Sequence, residues 1–456
     1  VKTFDVVVVG SGTAGQTAAY MLAEAGLQVA VADDNPRPGG ICALAGCQAK
    51  KWFYEATETV ARSRHLAGIG IRRTAEADWG ALRDQKNRFT DGIPSGTVEG
   101  FSRSGIVFLP GTARFEDHAT LGVGDERVTA ARFVLATGAQ PMPLPFEGAA
   151  NLTTSDAFLE LDQLPRRLVF VGGGFIAFEF AHFAARLGDM DQITILEAAA
   201  RPLAPFDAEM VALLLEASRE EGVTIRTGVA IEAVRPAAAA QRVHLADGEV
   251  LEADCVVHAA GRAPNIEALS LGRGQVDYTP RGIAVDATMR TSNARVYAIG
   301  DCAATIQLAR VADYEAQVAA RNILAELQGG EGAAMDYGTV PTLLFTYPQY
   351  GMVGATESAL RDQGKAYRKS FAKALAWPTY QRIGLRHAAY KVLADDDGRV
   401  LGAHFIADQA SGVINAFTQA MRDGKTVDAL YHEQIMSPYP TRESDMLYML
   451  KPLRAG

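Results

Sequence analysis

Two stretches of the chain repeat one pattern of apolar and small residues. The first runs Phe4-Asp5-Val6-Val7-Val8-Val9, then Gly10-x-Gly12-x-x-Gly15, then an alanine-rich stretch to about Gly26, then Val29 to Ala32 ending at Asp33. The second runs Arg167-Leu168-Val169-Phe170-Val171, then Gly172-x-Gly174-x-x-Ala177, a helical stretch to about Gly188, and Ile193 to Leu196 ending at Glu197. A short, uninterrupted apolar run stopped by glycine fits a strand buried on both faces of a parallel sheet. Each stretch therefore predicts strand, glycine turn, helix, strand and terminal acid.

The remaining apolar segments extend this pattern. Phe133-Val134-Leu135-Ala136-Thr137-Gly138 predicts another buried strand, and Pro141, Pro143 and Pro145 mark a linker after it. Val296-Tyr297-Ala298-Ile299-Gly300-Asp301 predicts a further strand, followed by a helix from about Tyr314 to Leu327 and a boundary at Gly329-Gly330-Glu331-Gly332. Ala237 to Ala240 reads as a surface loop. From 336 onward, strands and helices alternate without a glycine fingerprint. The expected class is α/β, with two Rossmann-like dinucleotide-binding domains and a C-terminal α+β domain.

The turns carry specific chemistry. Glycines let the backbone approach a pyrophosphate, the helix N-terminus favours its charge, and the terminal acid can bind ribose hydroxyls. A single fingerprint could be a glycine-containing turn in another α/β fold. Two copies with correctly placed acids argue against that and imply two dinucleotides, which fits FAD plus NAD(P).

Composition narrows the class. With 48% hydrophobic and 21% charged residues the profile is globular. A net charge of −9 argues against nucleic acid or an anionic membrane surface as partner. The sequence lacks an apolar run long enough to span a bilayer and shows no signal-peptide pattern, so the expected compartment is the cytoplasm, without membrane insertion.

The four cysteines are Cys42, Cys47, Cys255 and Cys302, too few for a disulfide scaffold. The pair Cys42-x4-Cys47 lies within Gly39-Gly40-Ile41-Cys42-Ala43-Leu44-Ala45-Gly46-Cys47-Gln48-Ala49-Lys50-Lys51. Residues five apart in a regular helix have Cα atoms roughly 8.7 Å apart, and a disulfide wants less than about 7 Å. A bond here requires the backbone to leave ideal helix, and Gly46 relaxes that constraint. Lys50 and Lys51 would favour a thiolate, although either could be a solvated lysine. Two ordinary buried thiols are an alternative. A metal site is another, but zinc would want two further ligands and none lies nearby, so no metal is expected.

These motifs together resemble the pyridine nucleotide–disulfide oxidoreductases, the family of glutathione reductase, dihydrolipoamide dehydrogenase and mercuric reductase. The resemblance spans nearly the whole chain: Gly10 to Gly15, Gly39 to Lys51, Ala136-Thr137-Gly138, the second fingerprint, Gly261-Arg262-Ala263-Pro264-Asn265, Gly300-Asp301, Val340-Pro341-Thr342, Phe345 to Pro348 and Val353-Gly354. It implies an FAD domain begun by 1–147 and completed by 267–335, an NAD(P) domain at 148–266 and a dimerisation domain at 336–456, assembled as a homodimer. It further implies that Cys47 faces the flavin, Cys42 meets the substrate, and Lys51 pairs with Glu179 near the flavin ring. The bland alternative for Glu179 is a solvent-facing helix acid. Gly10, Gly12, Gly15, Asp33, Gly40, Thr137, Gly138, Gly300 and Asp301 would hold FAD; Gly172, Gly174, Glu197, Gly261 and Arg262 complete the cofactor set. Glu197 would bond the 2′-hydroxyl of NADH and repel the phosphate of NADPH; Ala177 and Arg201 point the other way, and NADH is the favoured donor.

The chain departs from the resemblance at its end. Disulfide reductases of the family carry His-Pro-Thr-x-Ser-Glu, the acid–base histidine and its glutamate. Here Ser437-Pro438-Tyr439-Pro440-Thr441-Arg442-Glu443-Ser444 puts Tyr439 at the histidine position, and Ser444 at the glutamate position with Glu443 one place early. A tyrosine, with an ordinary pKa near ~10, is a poor base at neutral pH. His432 lies nearby as a substitute. Mercuric reductases place a tyrosine here, but they add a C-terminal cysteine pair, and no cysteine follows Cys302. The expected activity passes electrons from nicotinamide through flavin and the thiol pair to a small-molecule or small-protein acceptor, a disulfide or other thiol-reactive compound. Alternatives are a metal-ion reductase, a quinone reductase that bypasses the thiols, and a flavoprotein redox sensor.

Overall fold

The computed structural model describes residues 1–238 and 240–454, arranged as two compact units. The first comprises Val1–Trp52, Leu82–Pro143 and Gly261–Asp336. Its central strand, Lys2–Val9, pairs in parallel with Val29–Asp33 on one side and Glu126–Leu135 on the other, with Val7 opposite both Ala30 and Phe133. Alternate side chains of the apolar run enter opposite cores. Val6 and Val8 join Val29, Val31 and the helices Thr13–Glu24 and Ala309–Gln328, while Val7 and Val9 join Ala30, Ala32 and Phe133. Burial on both faces is why the run contains no polar alternation. The strand expected at Val296 is Val296–Ala298 and extends this sheet beside Glu126–Leu135. The following helix begins earlier than expected, at Ala309, because its first turn packs Val311 and Ala312 inward. The proline linker forms a short strand, Ala139–Pro141, paired with Arg262–Pro264.

The second unit comprises Phe53–Ala81, Leu144–Ala260 and Tyr337–Gly456. One parallel sheet runs in the order Val223–Thr227, Gln192–Glu197, Arg167–Val171, Cys255–His258. Beside it, Ile231–Ala237 and Ala240–Leu245 form an antiparallel hairpin with Ala237 opposite Ala240. Strand pairing thus reaches Ala237 and Ala240, both expected in a surface loop; residue 239 lies outside the described residues. The C-terminal part is an antiparallel sheet built on Gln349–Gly354, Val400–Ala407 and Ala389–Ala394, backed by the helix Ser411–Arg422. This is the α/β architecture expected, with a terminal α+β portion. Among the described residues no helix is long and apolar enough to cross a membrane.

A buried charge cluster ties the parts of this unit together. Lys391 Nζ is enclosed and lies 2.7 Å from Asp207, 2.8 Å from Glu209 and 2.8 Å from Glu357. Asp207 also caps the helix Ala208–Glu220 by accepting from Glu209 N and Met210 N. Burial pushes the Glu357 carboxyl up, but hydrogen bonds from Lys391, Tyr367 and Arg361 outweigh it and hold the group down at about 2. Its stabilising contribution is therefore present above the ordinary carboxyl range and lost as pH falls toward 2. Replacing Lys391 with Met leaves three carboxylates without their shared cation, and a loss of about 3–5 kcal/mol is expected. Urea unfolding of Lys391→Met beside the native chain measures it.

Candidate active site

The two glycine turns are built alike. Gly10 has φ +110° and Gly172 φ +102°; a side chain on the first would put Cβ 2.2 Å from Ala136 O, and on the second 2.4 Å from Ala260 Cα. Neither position accepts another residue. Gly12 and Gly174 then open the helices Thr13–Glu24 and Phe175–Leu187, and neither helix start carries a side-chain cap. Uncapped N–H groups at a glycine-lined helix start suit a pyrophosphate. The third position differs: a Cβ on Gly15 would fall 2.0 Å from Gly10 O, whereas Ala177 is accommodated and fully buried.

The terminal acids also match. Asp33 accepts from Ser11 N at 2.7 Å and Asn35 N at 2.8 Å; Glu197 accepts from Gly173 N and Ala199 N, each at 2.6 Å. Each acid therefore locks its own turn. Arg201, beside the second turn, donates to the carbonyls of Leu203, Ala204 and Phe206.

The cysteine segment leaves ideal helix where the spacing demands. A short helix Ile41–Leu44 ends at Ala45, and a new one runs Cys47–His65. At Gly46 a Cβ would sit 2.8 Å from Ile41 O and 3.1 Å from Cys42 Cα, so the glycine permits the tight step that brings the cysteines together. Both stand as thiols, Cys42 half-buried and Cys47 exposed. Their sulfurs are hydrogen-bonded, and this makes them unequal. Donation to Cys47, then burial, pushes the Cys42 thiol far up. Cys47 is lowered to about 6, first by the Cys42 hydrogen bond and then, against burial, by the charges of Lys50 and Lys51. A helix N-terminus beneath Cys47 favours the same anion. Among the described residues no His/Cys/Asp/Glu cluster is placed to hold a metal.

The first unit thus gathers Gly10, Gly12, Gly15, Asp33, Gly40, Cys42, Cys47, Lys51, Thr137, Gly138, Gly261, Arg262, Gly300 and Asp301. Arg262 donates to Ala139 O, and Asp301 is raised by burial against the pull of Arg262. The second unit holds Gly172, Gly174, Glu179, Glu197 and Tyr439. Glu179 is buried, not solvent-facing, and accepts from Phe345 N at 3.1 Å. Tyr439 is 76% exposed, and His432 is exposed as well. Glu443 Oε1 rests against Gly412 in the first turn of Ser411–Arg422, where a Cβ would come within 1.8 Å, a position favoured by the helix dipole. Ser444 closes a local turn with Thr441. Two features escaped sequence reasoning. Arg442 pairs with buried Asp408, and the Ser11 hydroxyl touches both Asp33 and the cysteine loop. A hydroxyl residue inside the first Gly-x-Gly, absent from the second, was the available signal for Ser11.

Two dinucleotide turns in one chain with a polarised dithiol define a flavin-dependent oxidoreductase. The pyridine nucleotide-disulphide oxidoreductase family matches residues 4–316, and its dimerisation domain matches 340–447; the chain belongs to this family. FAD and a pyridine nucleotide are its cofactors. The chain is 31% identical to a dihydrolipoyl dehydrogenase of Chlamydia pneumoniae, covering 96% of this chain and 95% of that protein. It is 29% identical to a mercuric reductase of Lysinibacillus sphaericus, covering 96% and 80%. The HOCl-induced flavoprotein disulfide reductase RclA of Escherichia coli has the same fold, with TM-score 0.87 at 24% identity over 99% of this chain and all of that one.

The hydrogen bond between the thiols generates a direct expectation. Cys42→Ala removes the donor, so the Cys47 titration should move upward from about 6. Ultraviolet thiolate absorbance of the reduced protein against pH checks the shift.

Proposed function

We propose that this homodimeric enzyme oxidises NADH and delivers the electrons through the Cys42–Cys47 pair to a thiol-reactive acceptor. The single observation behind the reading is geometric: the break at Gly46 brings Cys42 up to Cys47, which opens a long helix beside Lys50 and Lys51. Cys47, lowered to about 6, is the group suited to face a flavin as thiolate, and Cys42 is the protonated thiol suited to attack an acceptor. Bound FAD supplies the two-electron relay between nicotinamide and sulfur. One hydride from NADH and one solvent proton convert the disulfide to two thiols. The acceptor then takes two electrons, and the disulfide re-forms.

The remaining roles belong to the same proposal. Residues 1–147 and 267–335 form the FAD domain, 148–266 the NAD domain and 336–456 the interface. Asp33 binds the FAD ribose, Asp301 the ribityl chain, and Lys51 with buried Glu179 stabilises negative charge on the reduced ring. Two observations support NADH over NADPH. Glu197 presents a carboxylate at the second turn, and Arg201 is engaged with three backbone carbonyls.

The acceptor is one that needs little acid–base help. Exposed Tyr439 replaces the family's histidine, and Glu443 lies beside Gly412 in the first turn of Ser411–Arg422. A soft metal ion fits this description. A mercuric reductase is among the relatives, and an RclA structure is a Cu(II) complex. An unusual disulfide is the second candidate.

Cys42→Ser separates these readings from the thiol-independent one. It should leave flavin reduction by NADH intact and lower turnover with a disulfide or metal-ion acceptor by about 10²-fold or more. Steady-state assays with lipoamide, Hg(II), Cu(II) and a quinone measure this; full quinone turnover without the thiol would favour the bypass.

A further inference from the structure

One hydroxyl fastens the cysteine loop to the first glycine turn. Ser11 is fully buried. Its Oγ donates to Asp33 Oδ2 at 2.5 Å and accepts from Gly39 N at 2.9 Å, so both its capacities are used. Its own N–H reaches the same Asp33 oxygen at 2.7 Å, and Gln16 Nε2 donates to its carbonyl at 2.7 Å. Gly39 lies three residues before Cys42. The loop is also pressed onto the turn: a Cβ on Gly40 would fall 2.4 Å from Gly12 Cα, and one on Gly39 2.7 Å from Ile93 Cγ2.

The second turn is an internal control. There Gly173 N donates to Glu197 in the same way, but the residue has no hydroxyl. The Gly-x-Gly turn and its locking acid therefore form without one. Only the copy that leads into the thiol pair carries serine at this position.

We propose that Ser11 is a positioning residue that couples the carboxylate of Asp33 to the cysteine loop, setting the placement of Cys42 and Cys47. This rests on the flavin–dithiol reading given above. A hydroxyl that donates a hydrogen bond to a carboxylate becomes a stronger acceptor for the next donor. The Gly39 bond therefore depends on Asp33 holding its place, and whatever fixes Asp33 also fixes the loop. Without the hydroxyl, the buried Gly39 N–H loses this acceptor, and the loop must shift to find another.

Ser11→Gly copies the second turn and is the primary test, with Ser11→Thr as the variant that keeps the hydroxyl. Three quantities are read on the FAD-loaded enzyme: FAD content, the long-wavelength thiolate–flavin absorbance after two-electron reduction, and the ratio of Cys42 to Cys47 alkylation by iodoacetamide. Ser11→Gly should retain FAD, lose much of the band, and change the alkylation ratio by about two- to tenfold, the worth of one hydrogen bond. Ser11→Thr should restore both. A native band and ratio in Ser11→Gly would overturn the proposal, as would equal FAD loss in both variants, which would make Ser11 a structural part of the turn. If the native enzyme shows no band, the flavin–thiolate reading fails, and the alkylation ratio still decides the role of Ser11.

Discussion

The constraint on which the molecule depends is a strand that must stop at a glycine and be locked there by a carboxylate from the next strand. At Gly10 and Gly172 the backbone takes a dihedral closed to side chains, and the backbone of Ala136 or Ala260 fills the space a Cβ would need. Asp33 and Glu197 then satisfy turn N–H groups, and neither helix start that follows carries a side-chain cap. The parallel sheets serve this geometry. They hold the turn and the acid in register, with Val7 beside Ala30 in one sheet and Phe170 beside Ile195 in the other.

The thiol pair adds asymmetry to this frame. Chemically identical side chains meet different surroundings, because one sits half-buried as a donor while the other opens a long helix next to two lysines. Hydrogen bonding dominates both shifts, with burial opposing it at Cys47 and reinforcing it at Cys42.

Much of this was legible in the sequence, for identifiable reasons. Val6 to Val9 announced a doubly covered strand because no position could afford polarity. Gly46 announced a broken helix because five-residue spacing cannot otherwise join two sulfurs. Glu179 was readable as buried from its phenylalanine neighbours. What escaped depended on partners distant in sequence. Nothing around Glu443 signals that Gly412 leaves room for its carboxylate, and nothing near Lys391 announces Asp207 and Glu357. The extent of the Ala237 hairpin was hidden because alanine has little strand preference, and pairing alone decides it.

The Lys391 cluster also shapes how this protein can change over time. Its cation is shared among three acids, two at the start of one helix and one from a distant segment, so each member's value depends on the others being present. Positions 207, 209, 357 and 391 are therefore coupled energetically. Apolar residues could replace the buried members at little cost, but a first step that removes Lys391 alone takes the shared cation away from buried Asp207 and Glu357. Drift at these positions is blocked by the order of events rather than by the endpoint.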